Sequence, residues 1–229
     1  GFGTGNYKDS KMETLTNFGN GNYYYIDNIL EAKKVLVSEM GGTLFTIAKD
    51  VKIQIEFNPA KVKSYRLIGY ENRLLANEDF NDDKKDAGEL GAGHSVTALY
   101  EIVPNGGNSI SKEGAQYKYV STGINPAAYD SKEMAALRFR YKPPSDSVSQ
   151  LIEKAVLDQT QTLDQASADY RFSAAVAAFG LLLRDSKYKG TASYDQVLDL
   201  AKAAKGEDPE GYRAEFLRLV ETAKHLSVQ

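Results

Sequence analysis

Apolar and polar residues alternate with a strict period of two along Asp50–Phe57 (DVKIQIEF). Val51, Ile53, Ile55 and Phe57 fall on one side, and Lys52, Gln54 and Glu56 on the other. That period sends the two sets to opposite faces of an extended chain, and predicts a strand with one buried and one wet face. Such a strand is stable only when others pair with it and a second layer covers its oily side. The stretches Val62–Tyr70, Ser95–Val103, Tyr117–Ser121 and Ala136–Tyr141 have the same character; in the last, Leu137, Phe139 and Tyr141 oppose Arg138 and Arg140. No long helical pattern separates them, which predicts an antiparallel sandwich or open barrel.

Helical periodicity dominates the two ends. A short helix is expected from a cap at Asp9 or Ser10 to Phe18, broken by Gly19-Asn20-Gly21-Asn22. After the β-prone run Tyr23–Ile26, Asp27 or Asn28 caps a second helix with an apolar stripe through Ile29, Leu30, Val35, Leu36 and Met40, and Gly41-Gly42 is expected to end it as a hinge. Beyond Pro143-Pro144 four helices are expected: Ser145–Asp158, Leu163–Arg184 with a buried alanine-rich stretch, one opening at a Ser193/Gln196 capping box, and one opening at Asp208-Pro209. The expected fold is α+β. Residues 1–42 form a truncated α/β unit, 43–144 an antiparallel β-sandwich-like domain, and 145–229 a helical tail folded as a bundle.

With 42% apolar and 26% charged residues the chain has ordinary globular composition, and its net charge of −3 gives no general pull toward nucleic acid or anionic membrane. No run of about 18–20 apolar residues is present to span a bilayer, and the glycine-rich, polar opening does not read as a secretory signal. Cysteine is absent and there are only two histidines, which excludes thiolate chemistry, disulfides and multi-histidine metal centres.

The remaining candidate chemistry is weak. Gly1-x-Gly3-x-Gly5 matches neither the dinucleotide nor the P-loop spacing, and reads as a strand-to-helix loop. The acidic loop offers Asp79, Asp82, Asp83 and Asp86 as cation candidates, but the EF-hand register fails: counting from Asp79, Lys84 stands where glycine is needed and Leu90 where the bidentate glutamate belongs. His94 has no nucleophile placed beside it by sequence, and His225 suits the negative end of a helix. No catalytic or cofactor-binding residue is assigned. Fifteen tyrosines include the cluster Tyr23, Tyr24, Tyr25, the best candidate for a protein-interaction surface, because each ring is broad and carries a polar tip.

Several stretches read together, GFGTGN, KMETLTNFGNGNYYYIDNILEAKKVLVSEMGGTLFTIAKDVKIQIEFNPAKV, YRLIGYENRLL, DFNDDKKDAGELGAGHSVTALYEIVP, LRFRYK and DYRFSAAVAAFGLLLRDSKYKG, resemble the C-terminal half of YfbK-like bacterial proteins. Those proteins carry a von Willebrand factor type A domain followed by a C-terminal extension. The resemblance implies that residues 1–42 are the C-terminal remnant of such a domain, and that the chain is a piece of a longer one. The domain's adhesion-site motif, Asp-x-Ser-x-Ser after the first strand, has no counterpart here in the required context. It further implies a non-catalytic protein-interaction, adhesion or scaffold module at the bacterial cell envelope, periplasmic or surface-exposed. Its partner would be a protein, the missing N-terminal half of the same protein, or a second copy in a homo-oligomer. Alternatives from the residues alone are a carboxylate-dependent hydrolase using the acidic loop and His94, and a carbohydrate-binding β-sandwich using coplanar tyrosines.

Overall fold

The computed structural model describes residues 1–2, 8–19, 21–70, 74–105 and 123–227. The architecture is α+β, and the chain divides into two compact units. The predicted strand over Tyr117–Ser121 and the glycines at positions 3 and 5 lie outside the described residues.

The first unit begins with a parallel bridge between Phe2 and Ile26, spanned by helix α1 (Asp9–Phe18). Gly1 N donates to Tyr24 O (2.7 Å) and Ile26 N to Gly1 O (2.8 Å). Helix α2 (Ile29–Lys33) is capped by Asn28, whose side chain accepts from Glu31 N at 2.9 Å. It then widens into a π-helical turn, Lys34–Ser38, and continues as α3 (Met40–Leu44). Gly41-Gly42 therefore does not end the helical stretch, contrary to expectation. Packing explains why glycine is needed here: a Cβ at Gly42 would stand 2.9 Å from the Ala92 carbonyl oxygen and 2.7 Å from the His94 ring, and a Cβ at Gly91 would stand 1.6 Å from the Gly42 carbonyl oxygen.

The rest of this unit is the short helix α4 (Ala127–Asp130) and an antiparallel sheet of β1 (Thr46–Phe57), β3 (Gly88–Gly91), β5 (Glu133–Lys142) and β6 (Gln150–Leu157), in the order β3-β1-β5-β6. Strand β6 overturns the helix expected over Ser145–Asp158. Its apolar residues Leu151, Ile152, Ala155 and Val156 fit a helical stripe, but a tight turn, closed by Asp146 N donating to Pro143 O at 3.0 Å, folds the chain back along the free edge of β5. Pairing from Glu133–Leu157 to Tyr141–Gln150 then decides the conformation. Among the described residues, the tail after β6 thus holds three α-helices.

The second unit combines β2 (Val62–Ile68), paired antiparallel with β4 (Leu99–Pro104), and helices α5 (Ala168–Leu183), α6 (Tyr194–Ala203) and α7 (Tyr212–Leu226). The antiparallel strands are thus shared between two units rather than gathered in one. The second core is Ala175, Val197, Leu198, Ala201 and Val220, with Phe179 and Phe216 meeting edge to face at 5.5 Å. Ser193 and Gln196 make the predicted reciprocal capping box. A correction applies at α7. Asp208 is not the residue at its start; the helix opens at Tyr212 after left-handed Gly211 (φ 77°), and the Asp208 carboxylate reaches forward to the backbone N–H groups of Arg213 (3.1 Å) and Ala214 (2.8 Å).

Candidate functional site

The most distinctive chemistry grows from one irregularity in β1. Asp50 has φ 50°, and between Lys49 and Lys52 the strand places two residues, Asp50 and Val51, against one of β5, Tyr141. This bulge changes the phase of the alternation. Lys49 now faces Lys142 and Lys52 faces Arg140, so cations that a regular strand would send to opposite faces share one. Arg138, opposite Gln54, extends the row. Like charges directly opposed across a ladder are destabilising, so this face requires an anionic cover.

The cover is the segment 77–87, which begins with a 3-10 turn (Asn77–Asn81) whose Phe80 is buried. Lys52, only 3% exposed, donates through Nζ to the carbonyl oxygens of Asp79 (3.1 Å) and Asp82. Lys142 Nζ binds Asp50 Oδ2 at 2.6 Å and Asp83 O at 2.8 Å. Arg140 reaches Asp83 Oδ1 at 2.9 Å, and the Ser149 hydroxyl donates to the same oxygen. The hydroxyl of Ser149 and the guanidinium of Arg140 hold the Asp83 carboxyl below its usual range. Desolvation pushes the Asp50 carboxyl up, but Lys142, the Ala87 N–H and Lys52 outweigh it and hold it low. The bond to Asp50 raises the Lys142 ammonium in turn.

The loop's candidate cation ligands are thereby placed. Asp83 is engaged as above, Asp79 pairs with Lys85 at 3.1 Å, and Asp82 accepts from Lys84 N at 2.9 Å. Asp86 lies exposed further along the loop. No group of three or more His, Cys, Asp or Glu among the described residues is arranged to hold a metal. His94 is exposed beyond β3, with its ring against Gly42 and Gly91. Among the tyrosines, Tyr23 donates to Asp9 of α1, Tyr24 is half-buried, and Tyr25 is exposed beside the parallel bridge. The cationic row itself was not legible in the sequence, because the alternation gives no sign of the bulge that creates it.

The opposite face of the sheet is apolar and open. Ile53 pairs with Phe139 and Phe139 with Ile152, a row across three strands whose outer members are 51% and 54% exposed. The face predicted to be buried is therefore the more open one at this point, and the polar residue Lys52 is the one covered. In the second unit a depression of about 460 Å³ lies against Asp169, Asp208 and Arg213. Arg213 is already engaged there. It donates to Ala204 O (3.0 Å), Lys205 O (3.2 Å) and Asp169 (2.5 Å) and stacks over Phe172, bracing α5, α6 and α7.

Comparison with known proteins adds the following. The family model described as "Uncharacterized protein YfbK, C-terminal" matches residues 42–226. The chain is 48% identical over 224 residues to "Uncharacterized protein YfbK" of Escherichia coli (strain K12). The alignment covers 97% of this chain and 38% of that relative, so the chain spans well under half of the relative's length. No solved structure matches. No helix among the described residues is long and apolar enough to cross a membrane.

Proposed function

Because the chain belongs to the family of the YfbK C-terminal region, we propose that it is a non-catalytic protein-interaction or scaffold module, working as the C-terminal part of a longer bacterial envelope protein that carries a von Willebrand A domain. The observation that carries this reading is the apolar surface left open on the first unit. Besides the Ile53–Phe139–Ile152 row, α1 and the helical stretch after Asn28 expose Phe18 (89%), Ile29 (81%), Leu30 and Val37. The sheet row is contiguous by strand pairing, and exposed contiguous apolar surface of that kind marks contact with another polypeptide.

The parallel bridge Phe2–Ile26 around α1 supports the further step. Parallel pairing belongs to sheets covered by helices on their faces, and one bridge is too little sheet for α1 and α2 to cover. Residues 1–42 are on this reading the last strand–helix–strand–helix of a von Willebrand A domain whose other strands lie in the remaining length seen in the relative. The envelope location rests on the resemblance alone.

Two alternative readings find less support. A carboxylate hydrolase needs an acid held above its usual range, whereas Asp50 and Asp83 are held below it, and the loop carboxylates other than half-buried Asp79 are exposed. A sugar platform needs flat, coplanar rings, whereas Tyr65 and Tyr100 are tilted by 56° and Phe139 and Tyr141 by 43°.

Light scattering of this chain, alone and with the preceding segment of the longer protein added in trans, tests the proposal. A defined complex of the two is the expected result. A monomer indifferent to that segment refutes the completion of the α/β layer.

A further inference from the structure

We propose that the acidic strap, residues 77–87, is an intramolecular ligand of the basic sheet face, and that this face accepts an acidic peptide in trans when the strap is displaced. The face is built at a cost the sheet itself does not require. It opposes Lys49 to Lys142 and Lys52 to Arg140, and it needs a left-handed aspartate to do so. A strand without the bulge would send Lys49 to the other side and avoid the first of these pairs. What the bulge provides is a row of donors matched to a peptide.

The match is specific in kind. Lys52 takes the main-chain oxygens of Asp79 and Asp82, Lys142 takes that of Asp83, and Arg140 takes the side chain of Asp83. The face therefore reads carbonyl oxygens along a polypeptide as well as its carboxylates. A nucleic-acid backbone supplies the anionic charge but not that row of carbonyls, so an acidic peptide is the fitting partner. The strap's apolar anchor is Phe80, two residues before Asp82, which binds through its main-chain oxygen, and three before Asp83, which binds through its carboxylate as well. The ligand is thus a short segment with an aromatic residue followed closely by carboxylates. Most of the strap's own side chains, from Asn81 to Asp86, are exposed, so charge rather than apolar burial holds it beyond Phe80.

The test uses a labelled, end-blocked peptide EDFNDD, the sequence of residues 78–83, and the full 229-residue chain. Fluorescence anisotropy at low salt is expected to show binding to the Phe80→Ala/Asp83→Asn variant at least tenfold tighter than to the unaltered chain. Adding Arg140→Gln and Lys142→Gln to that variant is expected to abolish it. In parallel, excess peptide is expected to speed tryptic cleavage of the unaltered chain after Lys84 or Lys85 several-fold, a readout that holds even if the variants fail to fold. Equal binding to the unaltered chain and the loosened variant overturns the proposal, as does unchanged cleavage. Equal displacement by an oligonucleotide of matched charge overturns it too, because the face would then be reading charge alone.

Discussion

Lys52 is the residue on which the strap and the sheet both depend, and Lys52→Met isolates its ammonium group. Methionine keeps most of the stem in place, so little cavity is created. What is lost is the donor to two carbonyl oxygens, those of Asp79 and Asp82. Hydrogen bonds from a charged group contribute about 1.5–3 kcal/mol each, and the two oxygens keep the backbone N–H groups of Asp82 and Lys85 as donors, at 3.3 Å each. Against this, the variant no longer desolvates an ammonium in a site that leaves it 3% exposed. The balance is a destabilisation of about 2 kcal/mol. Lys52→Ala also removes the stem's buried methylenes, at about 0.8 kcal/mol each, and should cost about 4 kcal/mol. Urea denaturation followed by circular dichroism is the assay. With a slope near 2 kcal/mol/M, the Met variant's midpoint should fall by about 1 M. Hydrogen exchange over residues 77–87 should accelerate more than exchange in β1 and β5. A Met variant as stable as the parent, with an unchanged strap, would refute the view that this ammonium fastens the strap.

Other outcomes follow from the same contacts. Gly91→Ala should cost about 3 kcal/mol, since its Cβ would lie 1.6 Å from the Gly42 carbonyl oxygen, whereas Gly41→Ala, with nothing within 4 Å, should be neutral or slightly stabilising; thermal melts of the pair decide this. Asp208→Ala should loosen the start of α7 by about 1 kcal/mol, through loss of the acceptor for Arg213 N and Ala214 N, and exchange at those two amides should rise first. Asp50 and Asp83 are held below the ordinary carboxylate value of 3.8, so their contribution is full above that pH and is lost as the pH falls through their lower folded-state values. Lys142, held above 10.5, contributes fully up to that pH and is lost only as the pH rises through its folded-state value. The melting temperature should therefore drop more steeply below pH 3.8 in the parent than in Asp83→Asn; parallel acid limbs would show that Asp83 is not linked to folding.

The open apolar row and the covered basic row lie on the two faces of one sheet, and the proposed roles follow from that division. The apolar face and the helices near the parallel bridge suit attachment to the rest of a long protein. The basic face, under its strap, suits a competitor in trans. The two are separable by mutation: Ile53→Ser should affect the first, and Arg140→Gln the second.

The sequence by itself determined the α+β class, the strand periods of β1, β2, β4 and β5, the capping box at Ser193, and the stop at Gly19. These are local matters of side-chain alternation, capping chemistry and backbone freedom, and they act over a few residues. Tertiary structure decided the rest. Gln150–Leu157 has a helical stripe but became a strand because β5 offered it a partner edge. Gly41-Gly42 reads as a stop, but it lies inside α3, with the Gly42 backbone packed closely against Gly91. Asp208 looked like a helix start but caps from a loop four residues before Tyr212. The cationic face depended on the bulge at Asp50, which brings Lys49 and Lys52 to one side against the strand's own period. Pairing partners and register are set by contacts distant in the chain, and local pattern carries no record of them.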